Sequence, residues 1–146
     1  MAANAHGYAA QDEFASKWGK LGKRGWSHRF EDASDLFGRN KKLVQTGTQP
    51  ADFLCGYSGW LGLVECKATI DPKGFKVSLI RQSQMISATL SVAAKTNYVF
   101  CIKQQVTGNW FFAPAEFVIN QKGTITWGEL FPYLWPENQL CPNLPT

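Results

Sequence analysis

Asp52, Glu65 and Lys67 are the residues of this chain whose types and spacing best fit catalysis. Glu65 and Lys67 stand two apart within the run WLGLVECKAT (60–69). Alternate residues of a strand point to one face, so a strand there projects both side chains together. Asp52 opens the preceding run, DFLCGY, and reaches the same cluster if the two runs pair through the Gly-rich turn between them. Two carboxylates beside an ammonium are poor core filling, because burying unmatched charge is costly. They suit a divalent cation. Mg²⁺ takes one or two carboxylates, keeps several waters and leaves positions open to phosphate oxygens. Such a cation acidifies a bound water and polarises a phosphate, while an amine alongside orients the water or stabilises developing charge. The competing reading is a Glu–Lys pair of the kind that decorates many surfaces. The apolar neighbours Leu61, Leu63 and Val64 argue against it.

These side chains need elements to position them. Residues 8–24 have helical periodicity, with Phe14, Trp18 and Leu21 on one face and Glu13, Lys17, Lys20 and Arg24 on a polar one. Gly22 and Gly25 provide a stop. A short strand over 26–30 and a polar stretch over 32–49 follow. Residues 52–57 and 60–69 form two strands joined by a turn at Gly56, Ser58 and Gly59, and DPKG at 71–74 is turn chemistry. A second helix spans 77–94, with Leu79, Ile86, Leu90 and Ala93 at helical spacing. Residues 97–104 are apolar on both alternating faces, which marks a centrally buried strand. A hairpin through Thr107-Gly108-Asn109 leads into 110–113, Pro114 opens a short helix over 115–119, and 124–127 is one more short strand. From Gly128 the chain holds four of its seven prolines and reads as an irregular tail anchored by Phe131, Tyr133, Leu134 and Trp135. This order predicts an α/β sandwich with a central mixed β-sheet flanked by helices, one domain over 1–146 with residues 1–6 as a flexible end.

Composition agrees with a folded domain. With 45% hydrophobic and 18% charged residues in 146, the chain is no disordered tail. Its longest apolar run, Tyr98 to Ile102, is far short of the ~20 residues a membrane helix needs, and the first residues lack the pattern of a secretion signal. A cytoplasmic protein without membrane contact is expected. Cys55, Cys66, Cys101 and Cys141 show no paired metal spacing, and His6 and His28 are too few and too far apart for a histidine-based metal site. The net charge of +4 is uneven: residues 17–42 hold eight Lys or Arg against three acids. Such a distribution fits one edge that follows phosphates, or simply a solvated surface. Trp60, Trp110 and Tyr57 are candidates for stacking on bases, or core aromatics. No P-loop, nucleophile elbow or dinucleotide fingerprint occurs.

Asp52 with Glu65-Cys66-Lys67 resembles the PD-(D/E)XK nuclease signature, and the flanks resemble Holliday-junction resolvases of the RecU-like and archaeal types. Gln49-Pro50 precedes Ala51-Asp52 as Gln-Pro precedes the acid there, and Glu65-Cys66-Lys67-Ala68-Thr69 matches the Glu-x-Lys-x-Thr strand ending. Phe75 then leads to Ser83-Gln84, where that family has a His-Gln pair on a helix, and Tyr98 to Ala113 resembles its apolar strand and hairpin. The likeness covers 49–119 well and 7–48 loosely. Ala51 separates the proline from the acid, and Ser83 replaces the usual His.

The resemblance implies a restriction-endonuclease-like fold and a metal-dependent endonuclease that resolves four-way DNA junctions, with Mg²⁺, or Mn²⁺ in its place, and no organic cofactor. By its pattern Asp52, Glu65 and the carbonyl of Cys66 hold the metal, Lys67 assists hydrolysis, and Gln84 positions water unless it is an ordinary exposed helix residue. It also implies an acid from the first helix, Glu13 or its rival Asp12, although a Glu13–Lys17 pair accounts for Glu13 equally well. Arg39, Lys41, Lys42, Lys73, Lys76 and Arg81 are the expected DNA contacts, and a homodimer is expected because paired cuts need two active sites. Another nuclease of the superfamily, and a non-catalytic nucleic-acid-binding module of the same fold, are the alternatives.

Overall fold

Ala10, Phe14 and Trp18 fall on one stripe of the first helix and give it a face to bury. In the computed structural model, which describes residues 2–30 and 49–145, that helix, α1, runs Ala2–Gly19. It therefore starts well before residue 8 and stops five residues short of Arg24. The stop has a local cause: Gly22 lies at φ +75, outside the right-handed region, and a 3₁₀ turn over Gly22–Arg24 follows.

Six strands form the main sheet: β1 Gly25–Arg29, β2 Phe53–Tyr57, β3 Trp60–Thr69, β5 Asn97–Gln104, β6 Asn109–Pro114 and β8 Leu134–Trp135, in the order β1-β2-β3-β5-β6-β8. All neighbours are antiparallel except β3 and β5, which run parallel, so the sheet is mixed as expected. β2 and β3 pair from Phe53↔Val64 to Tyr57↔Trp60. Their two-residue turn places Ser58 and Gly59 at positive φ, which twists the hairpin in the sense the strands require. β4 (Gly74–Lys76) and β7 (Thr124–Thr126) pair apart from the main sheet. A strand at 124–127 was expected, but its partner just after the DPKG turn was not.

The expected helix over 77–94 is split. A 3₁₀ turn covers Val77–Leu79, Ile80 and Arg81 are extended, and α2 spans Gln82–Ala93. Gln84 accounts for the later start, since its side-chain oxygen accepts from the Arg81 backbone N–H at 3.0 Å and caps the helix. Short helices α3 (Ala115–Val118) and α4 (Trp127–Leu130) follow. The stretch after Gly128 is more regular than expected: α4 runs into a 3₁₀ turn at Phe131–Tyr133 and then into β8.

Alternation along the strands sorts the core into two layers. α1 covers one face of the sheet, where Phe14 and Trp18 pack with Phe53, Cys55, Val64, Cys101 and Phe112. The indole N–H of Trp18 donates to the backbone oxygens of Trp26 (3.0 Å) and Gly56 (3.3 Å), so a fully buried polar atom is satisfied. α2, α3 and the β4–β7 pair cover the other face through Ala88, Val118, Phe75 and Ile125 against Tyr98, Phe100, Ile102 and Phe111. Tyr98 to Ile102 is buried throughout, as its two apolar faces require.

Candidate active site

Asp52 lies one residue before β2, and the β2–β3 register carried one step past Phe53↔Val64 sets it opposite Glu65. Glu65 points to the sheet face opposite α1, while the Asp52 carboxylate lies at the strand edge, within reach of both the Cys66 N–H and Gln11 of α1. β3 runs on past the end of β2, leaving the backbone of Cys66 without a β2 partner, and its N–H donates instead to Asp52 Oδ2 at 2.9 Å. A strand residue's N–H and C=O leave on the same edge, so the Cys66 carbonyl shares the edge occupied by Asp52.

Glu65 is only 3% exposed. Its Oε1 accepts from Gln84 Nε2 at 2.6 Å and faces Lys67 Nζ at 3.6 Å. Lys67 Nζ in turn donates to Gln84 Oε1 at 2.8 Å. Gln84 thus grips carboxylate and ammonium at once, while the same oxygen caps α2. It is no idle surface amide. Tyr98 backs the cluster from β5, donating through its hydroxyl to the Pro50 carbonyl at 2.7 Å and anchoring the segment before Asp52.

Burial raises both carboxyl groups above the ordinary carboxylate range. Burial pushes the Glu65 carboxyl up to about 8, the Asp52 charge pushes the same way, and Lys67 only partly opposes them. Asp52 is also raised, by burial above all, against the pull of the Cys66 N–H and Lys67. The two carboxyl groups lie close enough to shift one another. Two adjacent carboxyl groups held above their ordinary range are a place where a cation can replace the proton. Two oxygen-donor side chains, a backbone carbonyl on the same edge and an adjacent amine form a hard-donor set suited to Mg²⁺ or Mn²⁺. Among the described residues no group of three or more His, Cys, Asp or Glu side chains comes together to hold a metal, so waters and substrate oxygens must complete any coordination shell.

Glu13 is not part of this cluster. It pairs with Lys103 at 2.6 Å. Lys103 follows Ile102, the register partner of Lys67, and so points to the opposite face of the sheet. Asp12 is exposed and paired with Arg29 at 2.7 Å. The first helix sends Gln11 instead: its Nε2 donates to Asp52 Oδ1 at 3.0 Å, and its Oε1 accepts from Arg29 Nε and Nη2 at 3.1 and 2.7 Å. An amide stands where the resemblance implies an acid. Gln11 could have been found, because it lies three and seven residues before Phe14 and Trp18 and is therefore the polar member of the buried stripe. Nothing local marks Arg29 or Tyr98, which reach the site through strand pairing. Replacing Gln11 by Leu should release Asp52 and Arg29 and weaken divalent-cation binding at these carboxylates about 10- to 100-fold, as loss of a ligand-orienting partner does; calorimetric titration with Mg²⁺ checks it.

Cys66 packs its thiol into the α1-side core, where burial holds it well above the ordinary thiol range. Arg39, Lys41 and Lys42 lie outside the described residues. Lys73 and Arg81 are exposed, Arg81 next to Gln84 at the rim of the site, and Lys76 pairs with Asp71 at 3.8 Å. Trp110 is buried, and the half-buried Trp60 is tied by its indole N–H to the Pro145 carbonyl at 2.9 Å, so neither is a stacking platform.

No protein-family model matches the chain, and no curated protein matches it. Among solved structures it is similar to Hjc, a Holliday junction resolvase of the archaeal hyperthermophile Archaeoglobus fulgidus, with a TM-score of 0.59 over 88% of this chain and 93% of that one. The likeness is one of fold. At 12% identity it carries the mixed sheet and its flanking helices, the architecture expected above, and leaves the chemistry to the residues themselves. Among the described residues no helix is long and apolar enough to cross a membrane.

Proposed function

We propose that this chain is a metal-dependent DNA endonuclease that resolves four-way junctions. The observation that carries the reading is the convergence of Asp52, just before β2, with Glu65 and Lys67 of β3 at one strand edge, where Gln84 holds Glu65 and Lys67. The similarity of fold to a protein named as a Holliday junction resolvase supports it.

Asp52, Glu65 and the Cys66 carbonyl are the groups that would hold Mg²⁺, which when bound acidifies a water and polarises the scissile phosphate. Gln84 keeps Glu65 and Lys67 in register, so the amine sits beside the carboxylates without collapsing onto them. Lys67 orients the attacking water and offsets negative charge that develops on the phosphoryl oxygens. Water adds to phosphorus, the P–O3′ bond breaks, and the strand is left with a 5′-phosphate and a 3′-hydroxyl. Gln11, itself clamped by Arg29, fixes the Asp52 oxygen that does not face the Cys66 amide. Paired cuts on a two-fold junction need a second site, which a second copy of the chain supplies.

The test compares four-way junctions, flaps and linear duplexes with Mg²⁺, Mn²⁺ or chelator, beside Asp52→Ala. The expected result is metal-dependent paired nicking of the junction alone, abolished by Asp52→Ala. Cleavage of linear duplex at equal rate would indicate another nuclease of the superfamily. Salt-sensitive binding without scission under either metal would indicate a binding module.

A further inference from the structure

The sheet face that carries Glu65 and Lys67 continues through β2 to β1 at the edge of the sheet. Register sets Trp26 opposite Gly56 and Gly56 opposite Leu61; His28 lies opposite Leu54 and Leu54 opposite Leu63. Glu65 follows Leu63 on the same face, and beside it the Phe30 N–H donates to the Asp52 carbonyl at 2.9 Å. Trp26 and Leu61 are 50% and 55% exposed, and His28 is exposed too. A half-exposed tryptophan in open contact with water, on the same surface as the candidate site, is an unusual use of the most costly aromatic to leave exposed.

Its pose is built. A Cβ added at Gly56 would lie 2.4 Å from the Trp26 indole nitrogen, so the ring rests directly on the glycine and only glycine leaves it room. One face of the ring thus rests on Gly56, and half of the side chain stays exposed for a planar partner. The Trp26 carbonyl is held by the Trp18 indole, which fixes the backbone beneath it. Lys23 and Arg24, exposed just before β1, form no ion pair among the described residues. Cations around an aromatic platform fit a nucleic-acid strand, whose phosphates need the charge and whose bases need the ring.

We propose that Trp26 is the stacking platform for one unstacked nucleobase of the substrate, with Lys23 and Arg24 on the adjoining phosphates. The proposal rests on the nuclease reading and adds to it the source of selectivity. Trp26 lies roughly 17 Å from the carboxylates, four residues along the strand and two strands across, so the base it takes is a few nucleotides from the scissile phosphate. A continuous linear duplex keeps its bases stacked and offers none there. A branch point does. Selection of branched DNA then needs no base-edge readout, because every base has a π-face.

The test is binding in chelator, which excludes cleavage, to a four-way junction and to a linear duplex of the same sequence, each carrying 2-aminopurine beside the branch position. Trp26→Ala is expected to weaken junction binding about 5- to 150-fold, the worth of one base stacked on an aromatic ring, and to abolish 2-aminopurine quenching. Duplex binding should stay unchanged, and Trp26→Phe should retain most of the junction affinity. Gly56→Ala, which displaces the indole without removing it, should fall between. Unchanged junction affinity in Trp26→Ala, or an equal loss on both DNAs, overturns the proposal. So does a loss of binding accompanied by a lower mass in sedimentation, which would make this face a contact between copies. If wild-type protein cuts junctions while Trp26→Ala binds them normally, only this inference fails; if wild-type protein binds no DNA, the nuclease reading fails with it.

Discussion

Glu65→Gln should abolish cleavage and at the same time raise the melting temperature. The glutamine keeps the shape of the side chain and still accepts from Gln84 Nε2. What it removes is the charge. Loss of a metal-holding carboxylate takes several kcal/mol from the transition state, so the rate should fall by at least ~10³-fold. The folded state benefits. Glu65 is driven from an ordinary 4.5 up to about 8, chiefly by burial and then by the Asp52 charge, so near neutral pH the metal-free protein carries a group that is cheaper to ionise unfolded. An amide is free of that penalty. The gain is of order 2–3 kcal/mol at pH 7, or about 5–10 °C in a chain of this size. Calorimetry in chelator beside a junction-cleavage assay reads both numbers. A lower melting temperature would mean that the Glu65–Lys67 pair serves the fold, and retained cleavage would remove Glu65 from the chemistry.

A second large effect links protons to metal. In chelator, stability should fall as pH rises from about 5 to 8. Unfolded glutamate releases its proton near 4.5 and folded Glu65 holds it to about 8, so across that window the folded chain binds more protons and loses stability with rising pH. Asp52, also raised, adds to the same slope. Below the window both states are protonated and the slope vanishes. Each proton contributes up to about 1.4 kcal/mol per pH unit. Mg²⁺ should reverse the trend, because its ligands must be deprotonated and binding expels the proton. At a hundredfold excess over Kd the ion stabilises by about 2.7 kcal/mol, so the Mg²⁺-induced rise in melting temperature should be greater at pH 8 than at pH 6. Titration calorimetry in buffers of different ionisation enthalpy should find close to one proton released near pH 7. An identical Mg²⁺ response in Glu65→Gln would show that the ion binds elsewhere.

Much of the site was legible because its rules are local. The i, i+2 spacing of Glu65 and Lys67 puts them on one face of any strand, and the Ser58-Gly59 turn sets the register that brings Asp52 opposite Glu65. Gln84 came from the resemblance, and the fold adds that one oxygen both caps α2 and receives Lys67. Glu13 went astray for an equally physical reason. A helical residue's direction turns by about 100° per position, so an error of two residues carries a side chain to another face, and Glu13 meets Lys103 while Gln11 meets Asp52.

The amino-acid order by itself determined the alternating buried strands, the helix stripe of Phe14 and Trp18, the tight hairpin and the pairing of acid with amine along β3. Each follows from neighbours a few residues apart. Only the folded chain decided that β5 joins β3 in parallel, that Gly74–Lys76 finds Thr124–Thr126, that Arg29 reaches Asp52 through Gln11, and that Trp26 lies half-exposed on the sheet face shared with Glu65. Those contacts join segments tens of residues apart, where the choice among partners rests on the closure of long loops and the packing of whole layers, and no local period records it.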